Sequence, residues 1–176
     1  MFKRLQSMLG RKQSDVTLSA PSIEIKPKPA APFYAIGDIH GCLKQMEQLV
    51  SKIEGENPSA TIVFLGDYID RSTQSAQVLT RLHELQSKDA SRYICIMGNH
   101  ERMMLEFIDD PLGRGARWLV NGGIQTLQSF GIKPGKSKPN AEEAMDLADQ
   151  LEEAMPKGMQ DWLRTLPMQW ASGDVH

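Results

Sequence analysis

The chain has 176 residues, with 20 lysine and arginine residues against 22 aspartate and glutamate residues, and a formal net charge of −2 at pH 7. This length corresponds to one domain of ordinary size, and the near balance of charge excludes a strongly basic nucleic-acid-binding protein. No apolar run reaches the roughly 20 residues that a transmembrane helix needs. Two cysteines are too few for a disulfide framework, so we expect reduced thiols in a cytoplasmic protein.

The first 32 residues differ in composition from the rest of the chain. They carry six basic and two acidic residues, and four of the positions between 20 and 32 are proline. Because proline at this density prevents a regular helix, residues 1–32 are predicted to form a basic, disordered tail and linker. Apolar residues at helical spacing within residues 1–12 leave open a short helix that contacts a membrane surface. The folded domain is predicted to occupy residues 33–176.

Three apolar runs alternate with amphipathic segments in the first half of this domain. The runs cover residues 33–36, 61–65 and 93–97, and each of them stops at a glycine. The segments after each run place apolar residues three or four positions apart, which is typical of a helix with one buried face. Continuous apolar runs that alternate with such helices predict a parallel β-sheet covered by helices, and therefore an α/β fold.

The second half of the domain is predicted to be mainly helical. Apolar periodicity indicates helices over residues 140–155 and 158–166, and the glycines and prolines of residues 131–139 indicate a loop. The last residues, 169–176, have the pattern of the start of a further strand.

Polar residues follow each of the three predicted strands directly. The segments are Gly-Asp-Ile-His-Gly from residue 37, Gly-Asp-Tyr-Ile-Asp-Arg from residue 66 and Gly-Asn-His-Glu from residue 98. Because the carboxyl ends of parallel strands meet at one edge of a sheet, these loops are expected to converge on one ligand site. The side chains that would meet there are Asp38, His40, Asp67, Asp70, Asn99 and His100.

Carboxylate, imidazole and amide groups in one place indicate a metal centre. Mixed oxygen and nitrogen ligands suit manganese, iron or zinc better than magnesium or calcium. So many acceptor groups need neutralising cations, and two divalent ions bridged by a carboxylate are a common arrangement for displacement at a phosphate ester. One Gly-Asp after a strand is an ordinary turn or helix cap, but three such loops with different ligand types predict a binuclear site.

These three segments resemble the signature motifs of the phosphoprotein phosphatases, a branch of the calcineurin-like metallophosphoesterases. The segment Trp-Leu-x-Asn-Gly-Gly-x-x-Thr-Leu from residue 118 is similar to one in the bacterial serine/threonine phosphatases of this branch. The resemblance runs from about Phe33 to the C-terminus. It implies a calcineurin-like fold, two divalent metal ions with manganese favoured, and a hydrolase that removes phosphate from phosphoserine or phosphothreonine in proteins.

The resemblance also implies a metal-binding role for four residues. Asp38 and His40 would bind the first metal ion. Asp67 would bridge the two ions, and Asn99 would bind the second ion and contact the substrate.

Three further residues would act on the substrate. His100 would be the general acid that protonates the leaving oxygen, and Asp70 would orient it. Arg71 would hold the phosphate, in keeping with the bidentate match between a guanidinium and phosphate oxygens. Hydrolysis would then proceed by in-line attack of a hydroxide that bridges the metal ions, without a covalent phosphoenzyme.

Two departures from the family pattern affect the expected activity. Ser72 stands where the family usually has glycine after its Asp-Arg pair. Family members also continue to a His-Ala-Gly and a later Gly-His segment, each with a metal-binding histidine, and neither occurs here. The other histidines are His83, expected on a helix surface, and His176, a weak candidate ligand. We therefore expect a partial fold that lacks its last strands, incomplete at the C-terminus and weakly active or inactive.

Two other functions remain open. A related branch of the superfamily hydrolyses symmetrical bis(nucleosyl) tetraphosphates, but it tends to lack the Asp-Arg pair and to carry aspartate after Asn-His. Asp70, Arg71 and Glu101 therefore favour the protein phosphatase. The other hypothesis is a non-catalytic remnant of the enzyme, against which every matched catalytic position keeps a chemically competent residue.

Overall fold

The computed structural model describes residues 28–135 and 139–175. The predictions for the tail at residues 1–27 and for His176 lie outside these ranges. The elements follow in the order β1 (Phe33–Ile36), α1 (Leu43–Glu56), β2 (Thr61–Phe64), α2 (Ser75–Lys88), β3 (Tyr93–Cys95), α3 (Asn99–Asp109), α4 (Ala116–Trp118), a π-helical turn (Leu119–Gly123), α5 (Ile124–Ser129), α6 (Ala141–Ala154) and α7 (Met159–Thr165).

The three strands form a parallel sheet in the order β1-β2-β3. The register aligns Ile36 with Phe64 and Phe64 with Cys95, so these side chains share one face of the sheet. They are buried in a single hydrophobic core together with the apolar faces of α1 and α2. The predicted α/β architecture, a parallel sheet covered by helices, is confirmed.

Two strands end earlier than the sequence predicts. β2 stops at Phe64 and β3 at Cys95, although the apolar runs continue to residues 65 and 97. The hydroxyl oxygen of Tyr68 lies 2.9 Å from the carbonyl oxygen of Phe64 and 2.7 Å from that of Ile96, and its one proton is shared between these two acceptors. Backbone pairing continues one residue beyond the assigned ends, because the N–H of Leu65 donates to Ile36 (2.8 Å) and that of Ile96 donates to Phe64 (3.0 Å).

The end of the described chain differs from the prediction of a further strand. Residues 166–171 have no regular structure, and only an isolated antiparallel bridge joins Ser172 and Val175. The chain reverses between these two residues, so it does not extend along the sheet. Trp170 instead packs its ring edge-on against Phe33, with 4.9 Å between the ring centroids.

The helices of the second half pack against α2 and α3. α6 and α7 match the predicted helices to within a residue at each end. The side chains of Trp118, Leu127, Leu151 and Leu163 are fully buried. The π-helical turn contains Gly122 at φ 110°, a conformation that L-residues with a Cβ rarely adopt.

The state of the two cysteines and the length of the helices bear on two expectations from the sequence. Cys42 and Cys95 are both free, as expected, and burial raises the pKa of the Cys95 thiol to about 12. Among the described residues, no helix is both long and apolar enough to cross a membrane.

Leu82 provides a test of how α2 packs on the sheet. Its side chain is fully buried in the core, so Leu82→Ala is expected to lower the free energy of unfolding by about 2–5 kcal/mol. Urea denaturation followed by circular dichroism measures this change. Thr80→Ala, on the exposed face of the same helix, is the matched control and should change stability by less than about 0.5 kcal/mol. Equal effects of the two substitutions would contradict the assigned core.

Candidate metal centre and active site

The loops that follow the three strands meet at the carboxyl end of the sheet. The backbone N–H of His40 donates to the carbonyl of Asp67 (2.9 Å), and that of Gly41 donates to Tyr68 (2.7 Å). These bonds join the first loop to the second. The N–H of His100 donates to Oδ1 of Asp67 at 3.2 Å, which joins the third loop to the second. The convergence expected from the sequence is therefore present.

The first two loops carry unusual backbone conformations. All the non-glycine residues with positive φ in the described parts of the chain are predicted site residues, with φ between 42° and 73°: Asp38, His40, Asp67, Asp70 and Arg71. A left-handed conformation costs a non-glycine residue about 1–3 kcal/mol and persists only where the surroundings impose it. Strain of this kind collects at functional sites, because there the direction of a side chain matters more than the local backbone energy.

His40, Asp67 and His100 bring their ligand atoms within 4.8 Å of one another. They are the one such group among the histidine, cysteine, aspartate and glutamate side chains of residues 28–135 and 139–175. Nδ1 of His40 lies 2.7 Å from the carbonyl oxygen of Ile69. A carbonyl only accepts, so Nδ1 carries a proton, and in the neutral ring Nε2 then has the free lone pair. Metal-binding histidines are usually held in this way.

The side-chain amide of Asn99 faces the carboxylate of Asp67. One amide position lies 3.2 and 3.3 Å from the two carboxylate oxygens. Nitrogen in that position donates a hydrogen bond to Asp67, whereas oxygen there makes two acceptors face one another and needs a cation between them. With nitrogen facing Asp67, the two side chains are therefore in hydrogen-bond contact. Asp38 lies in the first loop with an exposed side chain, outside the group of three.

His100, a member of this group, also forms a buried pair with Asp70. Nδ1 of His100 lies 2.6 Å from Oδ2 of Asp70, and their side chains are 5% and 0% exposed. Burial raises the pKa of Asp70 above that of an exposed carboxyl, and its hydrogen-bond donors oppose this rise. A carboxylate on Nδ1 fixes the orientation of the imidazole and leaves Nε2 directed away from Asp70.

Arg71 places a cation next to the outer nitrogen of His100. Its Nη2 lies 3.4 Å from Nε2 of His100, and its side chain is exposed. A guanidinium in this position is available to bind a phosphate that approaches the imidazole.

Sequence reasoning missed two donors to Asp70. Nε1 of Trp118 donates to the Asp70 carboxylate at 2.9 Å, and Oγ1 of Thr126 donates at 2.6 Å. Both belong to the segment that resembles bacterial serine/threonine phosphatases. That resemblance was the signal in the sequence that could have identified them. Gly122 lets this segment approach, because a Cβ there would lie 3.0 Å from both Asp70 Cβ and the Arg71 nitrogen.

In the sequence, Glu101 served only to distinguish two enzyme branches. Its buried position, in contact with the second and third loops, was not predicted. The side chain is 0% exposed, and burial raises its pKa to about 7. Its carboxylate accepts hydrogen bonds from four backbone N–H groups, those of Asp67, Tyr68, Ile69 and Gly98. One side chain therefore holds the second and third loops together.

Residues 31–170 match the model of the calcineurin-like phosphoesterase family. The chain belongs to this family of metallophosphoesterase hydrolases, whose members use a binuclear centre of divalent metal ions. The observed fold and the cluster of His40, Asp67 and His100 agree with that membership.

Relatives within the family differ in their substrates. A symmetrical bis(5'-nucleosyl)-tetraphosphatase of Janthinobacterium sp. (strain Marseille) is 29% identical over 138 residues, which cover 77% of this chain and 38% of that protein. The catalytic subunit of serine/threonine-protein phosphatase 6 of Drosophila melanogaster is 38% identical over 72 residues, covering 41% and 23%. An asymmetrical bis(5'-nucleosyl)-tetraphosphatase of Oceanobacillus iheyensis is 29% identical over 113 residues, covering 60% and 42%. The chain spans less than half the length of each of these relatives.

Proposed function

We propose that the protein is a metal-dependent phosphatase that hydrolyses phosphoserine and phosphothreonine esters in proteins. The observation that carries this proposal is the buried pair of Asp70 and His100, 2.6 Å apart, which sets His100 beside Arg71 and close to the ligand atoms of His40 and Asp67. The alkoxide of serine or threonine is a strongly basic leaving group, so its departure requires a proton donor. A histidine fixed by a buried carboxylate suits that task.

Four residues would hold the metal ions in this proposal. Asp38 and His40 would bind one ion and Asn99 the other, with Asp67 between them. The donor set mixes oxygen and nitrogen, which suits manganese, iron or zinc, and manganese is the metal that the family resemblance favours. Bound divalent ions would supply an activated water and neutralise negative charge on the phosphate.

The other residues would act on the phosphate and on the proton. Arg71 would hold two phosphate oxygens, and the Asn99 amide would contact the substrate. His100 would donate a proton from Nε2 to the departing oxygen, while Asp70 keeps Nδ1 protonated and the ring in place. A general acid of this kind contributes about 10²–10⁴-fold to the rate.

The second candidate function is hydrolysis of bis(nucleosyl) tetraphosphates. The observation in its favour is the similarity to the symmetrical tetraphosphatase of Janthinobacterium, which extends over 138 residues. Against it, cleavage of a phosphoanhydride releases a weakly basic phosphate oxygen. Such a leaving group has little need of a proton donor, so an acid role for the Asp70–His100 pair would contribute less to that reaction.

Direct competition between substrates tests the proposal. We expect the purified protein with Mn²⁺ to hydrolyse a phosphoserine peptide with a kcat/KM at least tenfold above that for diadenosine tetraphosphate. The reverse preference would replace the proposed function with the second candidate. Inactivity of the metal-loaded protein towards both substrates that persists when the His-Ala-Gly and Gly-His segments of a family member are appended would instead support a non-catalytic remnant.

Removal of metal is expected to abolish the activity and to lower the melting temperature. A ligand that binds only the folded state at 100 times its Kd adds about 2.7 kcal/mol to stability. Dialysis against EDTA, followed by Mn²⁺ titration with activity and thermal melting as readouts, measures both effects. Activity that persists in metal-free protein would contradict the proposal.

A further inference from the structure

We propose that Glu101 is a positioning residue for the metal centre. Its side chain fixes the position of the Asp67 carboxylate relative to Asn99 and His100. The inference rests on the metal centre of the proposed function and is independent of the choice of substrate. The Glu101 side chain is buried behind the loops and is not one of the predicted substrate contacts.

The hydrogen bonds of Glu101 involve both of its carboxylate oxygens. Oε2 accepts from the N–H groups of Asp67 (2.9 Å) and Gly98 (3.1 Å). Oε1 accepts from Tyr68 (2.7 Å) and Ile69 (3.2 Å). Three consecutive N–H groups of the second loop therefore point at one buried carboxylate. Asp67, the first of them, has φ 54°, so these bonds stabilise a backbone conformation that is otherwise unfavourable.

The second and third loops are also in direct backbone contact. A Cβ on Gly98 would lie 2.2 Å from the nitrogen of Asp67 and 2.4 Å from Oε2 of Glu101. A Cβ on Gly66 would lie 2.4 Å from Cα of Gly98. This contact leaves no room for a side chain between the loops. The carboxylate of Glu101 holds the two loops together by accepting hydrogen bonds from both.

Glu101 is rigidly connected to two other residues of the site. It lies in the first turn of α3, directly after Asn99 and His100. A shift of the Glu101 contacts would therefore change the separation between Asp67 and these two residues. Because metal ligands must be held to within about 0.5 Å for tight binding, such a shift should appear first as weaker metal binding.

A carboxylate is the side chain that suits this position. Four backbone donors converge on it, and glutamine in the same place would direct its amide hydrogens at two of them. An unpaired buried donor costs about 1–3 kcal/mol. Both terminal oxygens of this side chain must therefore be hydrogen-bond acceptors.

The test is the affinity for Mn²⁺, read from the electron paramagnetic resonance signal of free Mn²⁺ during titration of the full chain. We expect Glu101→Gln to raise the Kd at least tenfold. Glu106→Gln is the matched control, since it removes the same charge from the same helix. Glu106 is half-buried and pairs with the exposed Arg102 and Arg117 rather than with the loops, so its replacement should leave the Kd within about twofold of the wild-type value.

The outcomes separate this inference from the proposed function. Wild-type affinity in Glu101→Gln, or an equal loss in Glu106→Gln, overturns the positioning role. If Glu101→Gln fails to fold by circular dichroism, Glu101→Asp carries the test, because it keeps the charge but shortens the reach to the four donors. Folded Glu101→Asp with wild-type affinity also overturns the inference. A wild-type chain that binds no Mn²⁺ overturns the proposed metal centre itself, and this inference with it.

Discussion

Asp67→Asn is expected to remove bound metal and to lower kcat/KM by about 10³-fold or more. Asp67 faces both Asn99 and the ligand atoms of His40 and His100, so it is the residue through which both metal ions would be held. A bound metal ion supplies several kcal/mol of transition-state stabilisation, and each 1.36 kcal/mol corresponds to a factor of ten in rate. Metal content by mass spectrometry and kcat/KM on a phosphoserine peptide measure the two effects.

The control for this substitution is Asp149→Asn. Asp149 lies on the exposed face of α6, and its replacement makes the same change in charge and side-chain shape. We expect wild-type metal content and activity in that variant. An Asp67→Asn protein that retains both metal ions would contradict the bridging role proposed for the carboxylate.

His100→Asn is expected to lower kcat on a phosphoserine peptide by about 10²–10⁴-fold while metal remains bound. The range is that of a general acid. The loss should be much smaller on an aryl phosphate, because a phenolate leaves without needing a proton from the enzyme. Steady-state rates on the two substrates give the comparison. His83→Asn, which removes the half-buried histidine that packs against Trp162 in a different part of the fold, should leave kcat unchanged.

Metal content decides between two roles for His100. Its ring nitrogens lie within 4.8 Å of ligand atoms of His40 and Asp67, which is compatible with metal binding as well as with proton transfer. An equal loss of activity on both substrates, together with loss of metal, would assign His100 as a ligand. The Asp70 contact at 2.6 Å is the reason to expect the acid role.

The architecture of the domain could be predicted because its signals are local. Each strand is a short apolar run that ends at a glycine, and each helix shows its own periodicity, as in α1 and α2. The meeting of the loops also followed from the sequence, because the carboxyl ends of parallel strands share one edge. The predicted strand at residues 169–176 was wrong for the described residues, since the apolar pattern there does not reveal the chain reversal between Ser172 and Val175. The roles of the individual site residues stay predictions.

The sequence by itself therefore determined the parallel sheet, the three loops at its edge and the residue types that meet there. Only the tertiary structure decided what holds those residues in place. Trp118 and Thr126 reach Asp70 across 48 and 56 positions of the chain, and Glu101 binds the second loop from more than 30 positions away. Such contacts leave no periodic trace, because their partners become neighbours only when distant segments pack together. The left-handed conformations of Asp67 and Asp70 have the same origin: these contacts impose them against the local preference of the backbone.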